Sequence, residues 1–330
     1  MFVIFRSRSG SFVRPRAAAL VVSAFASLLA VSPRALAKTD SVQVESEQKK
    51  NCDRHFPGLI QGEIRNACSS ATEGLSKYGK LGAEVRCRLD YGEEPREVMA
   101  CLIGVDIAED LAAKKDEFKK KLQLCAEQYP MHVEIDAFLQ EACLTGVHLP
   151  NLLGEKPRLG LCAQITPERS FQGPCGVGLS LSQNDAESVE PSKQNKLCEQ
   201  YFDHRKFHSG YRACLNARAL ALNWTGKVAD IIKTCSESVA ESDSDTTRAA
   251  CMVGASVYQQ LLTNKDSSAR FQKCGENKVS YQERDFLACL TAASLLDFTD
   301  KNGAEAGCKD VFRTAKGRGR GDCLNSLSLF

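Results

Sequence analysis

Ala100-Cys101-Leu102-Ile103-Gly104-Val105-Asp106-Ile107 follows a plan that recurs along the whole chain. A cysteine is preceded by alanine and followed at once by an apolar residue. A small residue stands three places on and an aliphatic one six places on. The plan returns at Ala142-Cys143-Leu144-Thr145-Gly146-Val147-His148-Leu149 and at Ala250-Cys251-Met252-Val253-Gly254-Ala255-Ser256-Val257. Positions three and six or seven apart lie close together on an α-helix. The small position is Ala71, Gly104, Gly146, Gly178, Ala217, Gly254, Ala292 and Ser326 in turn. Glycine inside a helix costs ~1 kcal/mol relative to alanine. Its recurrence at one position therefore points to a neighbouring helix in close approach.

These cysteines are the second members of eight consecutive pairs, which begin at Cys52, Cys87, Cys125, Cys162, Cys198, Cys235, Cys274 and Cys308. Successive starts are 34 to 39 residues apart, a period typical of a repeat array. The first cysteine has its own helical pattern. An aromatic follows four residues later at Phe56, Tyr91, Tyr129, Phe202 and Phe312, with Val239 as a weaker match, and so shares its face. Turn-rich pieces such as Tyr91-Gly92-Glu93-Glu94-Pro95 separate the two cysteines of a unit, and others such as Asn302-Gly303 separate the units. Each unit thus reads as a helix–turn–helix. One hairpin cannot bury its own apolar face, but stacked neighbours can. The expected fold is all-α: a curved α-solenoid of about eight units over residues 52–330, with about sixteen helices and little or no sheet.

Pairing within units would join Cys52–Cys68, Cys87–Cys101, Cys125–Cys143, Cys162–Cys175, Cys198–Cys214, Cys235–Cys251, Cys274–Cys289 and Cys308–Cys323. It leaves no orphan and places each link near a helical turn. The rival joins each second cysteine to the next unit's first and strands Cys52 and Cys323. Cysteine spacing does not decide between them. Loops as short as those within units contribute ~3 kcal/mol each in the chain-entropy description.

Residues 1–37 read as a signal peptide. Arg6, Arg8, Arg14 and Arg16 form a basic start, an apolar run spans Ala17 to Ser32, and Ala35-Leu36-Ala37 precedes a cleavage point before Lys38. The even cysteine count then fits an oxidising compartment, periplasmic or secreted. Residues 38–51 are polar and read as a flexible tail. No segment after the leader has the length and apolarity of a membrane span. The leader holds five of the 43 basic residues and no acid, which leaves 38 bases against 41 acids. That balance is no footprint for nucleic acid.

Unit four departs from the pattern, with Pro174 for alanine and Gly176 for leucine. A polar run follows it, and 183–194 reads as a loop, either a hinge or a plain insertion. Asn223-Trp224-Thr225 matches a glycosylation acceptor but falls in a helical stretch. Arg320-Gly321-Asp322 lies in a glycine-rich segment that reads as a flexible exposed loop. Leu324, Leu327, Leu329 and Phe330 end the last unit in apolar side chains, expected to be buried against unit seven.

No metalloprotease, nucleophile-elbow, P-loop or dinucleotide fingerprint is present, and no cofactor is expected. His204 and His208 are four residues apart, a spacing zinc can use on a helix, but no third ligand is near in sequence. They are the weak metal candidates. His55, His132 and the His204/His208 pair are candidate bases.

A signal peptide, two helices per ~37 residues and one disulfide per unit together resemble the secreted cysteine-rich helical repeat proteins of the Sel1/TPR class, over residues 52–330. Ala-Cys-Leu-x-Gly stands here where Sel1 repeats carry leucine-glycine and tyrosine. The resemblance implies a surface presented to proteins or peptides and carries over no site residues. Two functions are expected from different classes. One is an exported, non-catalytic binding or scaffold protein with a protein or peptide partner. The other is a periplasmic enzyme such as a cell-wall hydrolase with its site in a groove.

Overall fold

A cysteine one turn from an aromatic, and a second on an apolar helix, give each unit two faces that can close on one another. The computed structural model describes residues 38–56, 62–92, 94–113, 115, 117–132, 134–165, 168–183, 189–223, 227–239, 244–263, 268–276, 283–314 and 318–330. Eight disulfides close the units: Cys52–Cys68, Cys87–Cys101, Cys125–Cys143, Cys162–Cys175, Cys198–Cys214, Cys235–Cys251, Cys274–Cys289 and Cys308–Cys323. Their Cα atoms lie 5.6–5.9 Å apart, ordinary for such links.

Among the described residues there are fifteen α-helices and no strand. In chain order they are α1 (Lys38–His55), α2 (Gly62–Asp90), α3 (Pro95–Ala112), α4 (Glu117–Gln128), α5 (Glu134–Leu153), α6 (Gly160–Ile165), α7 (Arg169–Ser182) and α8 (Pro191–Tyr201). Then come α9 (His208–Asn216), α10 (Val228–Thr234), α11 (Asp245–Thr263), α12 (Ser268–Glu276), α13 (Glu283–Leu295), α14 (Lys301–Val311) and α15 (Arg318–Ser326). A 3-10 stretch, Ala217–Asn223, prolongs α9, and a π turn, Cys235–Val239, prolongs α10. Fifteen helices serve sixteen roles because α2 holds both the second helix of unit one and the first of unit two. Gly79 breaks it, with φ 70 and ψ 177, a backbone state that glycine reaches without steric cost.

The small position does what its recurrence implies. A Cβ built on Gly146 would overlap the Cys175 carbonyl oxygen, and one on Gly178 would overlap that of Cys143. The two contacts are reciprocal, so α5 and α7 cross antiparallel, each glycine against the other helix's disulfide turn. Gly104 meets Cys68 and Ala71 in the same way, and Gly254 meets Cys214 and Ala217. Units one and two, three and four, and five and six are thereby joined as tight couples, and α13 packs on α15 in the last couple.

Unit four also explains its own irregularity. A Cβ on Gly173 would come within 2.7 Å of Asn216 Nδ2, and one on Gly176 within 2.6 Å of Leu159 and 2.9 Å of Ala219. The helix α7 is therefore approached on two sides, by α5 at Gly178 and by unit five at Gly173 and Gly176. Pro174 sits inside it, fully packed.

First helices meet those two units away. The α4 and α8 helices touch, with Gln128 Nε2 donating to Gln194 Oε1 at 3.4 Å and Asn195 Nδ2 donating to the Glu127 carbonyl at 3.4 Å. The α10 and α14 helices touch likewise. Ring contacts tie His55 to Phe118 at 6.4 Å and Tyr201 to Phe271 at 5.0 Å. These first-helix contacts join odd units to odd and even to even, and the first cysteines of odd units recur every 73 to 76 residues.

Three local expectations are corrected. Residues 38–51 are not a flexible tail but lie in helix α1. Gln48 and Asn51 are buried there, and Gln48 Nε2 donates to the carbonyls of Cys68 at 3.0 Å and Gly104 at 3.1 Å. Polar composition suggested solvent, but these side chains satisfy backbone acceptors in the interior. Arg320-Gly321-Asp322 lies in α15 rather than in a loop. Of 183–194, residues 184–188 lie outside the described ones, while Pro191 opens α8 and Gln194 is buried. Trp224 and Thr225 also lie outside the described residues, as does the leader. In the last unit Leu327 is buried and Leu324 and Phe330 pack on the core, while Leu329 is 39% exposed.

Candidate functional site

A concavity lies between odd units five and seven. Tyr201 ends α8, and Phe271 and Gln272 belong to α12, whose exposed tip carries Gly275 and Glu276. Phe286 of α13 lines the concavity too. The groove measures about 550 Å³. Tyr201 meets Phe271 edge to face at 5.0 Å, so its aromatic wall is held by ring packing rather than by a flexible loop. The amides of Gln200 and Gln272 and the carboxylate of Glu276 line the groove beside it. A Tyr201 ring backed by the buried Phe271, with amides beside it, suits an extended peptide, whose backbone needs donors and acceptors while its side chains need apolar cover.

The histidines divide into two groups. In the first, His55 of α1 and His148 of α5 lie 6.0 Å apart, ring to ring, with Phe118 against both. Asp106 of α3 is 2.5 Å from His148 Nδ1. Burial, with the charge on His148 adding to it, pushes His55 down to about 3. Burial also lowers His148, against the pull of Asp106. Burial alone would raise Asp106, but its bond to His148 and the nearby Lys121 and Lys80 hold it at about 2. A neutral imidazole therefore donates from Nδ1 to an ionised carboxylate. His148 and Asp106 also line a polar cleft of about 250 Å³ with Lys80, Lys121 and Asn151.

The second group joins units three and five. His132 and His204 stack at 3.9 Å between centroids. His204 Nδ1 stands 3.2 Å from Glu199, and His208 Nε2 stands 3.5 Å from Asp136. Asp136 accepts the His132 amide at 2.9 Å and faces Arg212 at 3.8 Å. Burial and Arg212 lower His208, with Asp136 opposing them. Burial pushes the Tyr211 hydroxyl far up.

The structure thus brings His132, His204 and His208 together and keeps His55 apart from them. His204 and His208 do not share a helix face. Residues 202–207 form the connection, and His208 opens α9. Among the described residues no cluster of three or more histidine, cysteine or carboxylate side chains has metal-holding geometry. All sixteen cysteines are disulfide-bonded, so none is left as a nucleophile. Asp106 and the Tyr201–Phe271 wall escaped the sequence reading. For the wall a signal existed: Tyr201 stands three residues after Cys198 and Phe271 three before Cys274, each one turn from a staple. For Asp106 none did, since carboxylates are common and its partner is forty-two residues away.

No protein-family model, curated protein or solved structure matches this chain.

Proposed function

We propose that the protein is an exported, non-catalytic binding or scaffold protein, an α-solenoid of disulfide-stapled helix pairs akin in architecture to the Sel1/TPR class. Its groove between α8 and α12 holds a protein or peptide segment. The observation that carries this reading is the aromatic groove itself, walled by Tyr201, Phe271 and Phe286 and edged with amides. Export is supported by the basic-then-apolar leader and by eight disulfides, which are consistent with an oxidising compartment. Among the described residues no helix is long and apolar enough to cross a membrane.

Gly275 gives a clean test. A Cβ there meets nothing within 4 Å, so Gly275→Arg fills the groove mouth without pressing on the core. Peptides selected from a displayed library on the native protein should lose affinity for this variant by at least about tenfold. Equal binding to both proteins would remove the groove from consideration.

A periplasmic enzyme such as a cell-wall hydrolase is the second reading. It is favoured by the His148–Asp106 pair, in which the buried imidazole holds a carboxylate that opens on a polar cleft. His148→Asn should then abolish turnover of isolated cell wall while leaving peptide capture by the groove intact.

A further inference from the structure

Seven large apolar side chains are exposed among the described residues, and four fall on one short stretch of α2: Tyr78 at 49%, Leu81 at 76%, Val85 at 50% and Leu89 at 74%. Leu81, Val85 and Leu89 are spaced four apart and form a ridge ~12 Å long on one helix face. The rest of the stretch is strongly charged. Burying the opposite face against unit two uses Ala83 and Cys87, so the ridge has no role in the core of its own unit.

We propose that this ridge is a homodimer interface, in which the 80–90 stretch of α2 packs antiparallel on the same stretch of a second copy. Self-complementary charge argues for a second copy. Glu84 and Arg88 lie one turn apart on the same flank of the ridge. When Val85 meets Val85, Leu81 lies opposite Leu89, and each Glu84 faces the Arg88 of the other copy. On the other flank Arg86 is already neutralised within its own chain by Asp90, 2.6 Å away, so no unbalanced charge is brought together. First helices of this chain already pack on one another through such flanks. Gln128 of α4 meets Gln194 of α8, and Asn195 donates to the carbonyls of both Glu127 and Gln128 at 3.4 Å. Head-to-tail stacking is disfavoured by the last first helix, α14, which exposes Lys301, Asn302, Glu305, Lys309 and Asp310 and has no apolar ridge to offer.

Sedimentation velocity on the full chain, from low to high micromolar, should give a mass rising toward twice that of the monomer. Leu81→Glu/Leu89→Glu should stay monomeric with an unchanged helical circular dichroism spectrum, since both side chains are mostly in solvent. Glu84→Arg alone and Arg88→Glu alone should each weaken the dimer by at least about tenfold, and mixing the two should restore it. A parallel pair would set Glu84 against Arg86 instead and would not be rescued by mixing, which would overturn the antiparallel register. A dimer that survives Leu81→Glu/Leu89→Glu places the interface elsewhere and sinks the proposal. So does a chain that stays monomeric throughout, whether carbene footprinting finds the ridge accessible, as for a site kept for a foreign protein, or shielded by residues 1–37.

Discussion

His148 keeps 1% of its side chain in solvent and faces an Asp106 that keeps 17%, whereas His204 keeps 15% and faces a Glu199 that keeps 46%. The chemistry of the two pairs is the same, an imidazole beside a carboxylate. Their surroundings differ. The first group is walled by Phe56 and Phe118 and carries the lowered imidazoles of His55 and His148. The second sits at the junction of units three and five with water at hand. Residue type therefore does not tell a sealed imidazole–carboxylate pair from a partly solvated one, but solvent access does. In the sealed group desolvation dominates, and the imidazoles are held neutral at ordinary pH. In the second group the His204–Glu199 pair, whose carboxylate is half exposed, is screened and contributes little to stability.

The largest expected effect lies in acid. An unfolded His55 takes up its proton near pH 6.5, while the native one does not until about pH 3. The unfolded state binds more protons between these values, so stability falls as pH drops through that window. At pH 4 the loss from His55 should be about 3 kcal/mol, from ~1.4 kcal/mol per unit over the part of the window crossed. His148, also lowered, adds in the same direction. Asp106 adds its share only below about pH 4, since its folded value of about 2 lies under its unfolded one. Urea unfolding from pH 7 to pH 4 should show a clearly flatter profile for His55→Phe. A profile as steep as the native one would mean that the first group is not sealed.

Next in size is Asp106→Ala. It leaves the buried His148 donor without its acceptor, at a cost of about 2–3 kcal/mol near neutral pH. Thermal melting checks it, and a change under 0.5 kcal/mol would put His148 in the solvated class. Gly146→Leu belongs to neither group and serves as a packing standard beside them. It forces a side chain into the Cys175 backbone and should cost about 1–3 kcal/mol. If it melts like the native chain, α5 and α7 do not cross where described. The smallest effect is expected of Glu199→Gln in the open group, below about 0.5 kcal/mol and smaller still at high salt. A loss near that of Asp106→Ala would erase the contrast between the two groups.

Much of the helical scaffold could be read from the residues, because each demand was local. A cysteine with alanine before it and a small residue one turn on describes a single helix and one close neighbour, and both are present at Gly104, Gly146 and Gly254. The coupling of units was not legible. Cysteines recur every 34 to 39 residues whichever side a first helix takes, so their period hides the doubled one. A clue lay in Gln48 and Gln194, each four residues before the first cysteine of an odd unit and each bonded to the carbonyl of that unit's second cysteine. Helix α1 was hidden for a related reason, since a glutamine that satisfies backbone carbonyls reads as a solvent-facing one. The groove and the two histidine groups depend on contacts between units, which no single repeat encodes.

Every disulfide joins a cysteine to the next one along the chain, across only 13 to 18 residues. A polypeptide that enters an oxidising space from its N-terminus meets its partners in that same order. Exported as proposed, the chain would bring in Cys68 while Cys52 waits, and the pair could be sealed before Cys87 appears. Oxidation in order of arrival thus yields the native set, with no link that must later be broken and remade. Biogenesis of this chain should accordingly depend on a thiol oxidase and be indifferent to loss of a disulfide isomerase.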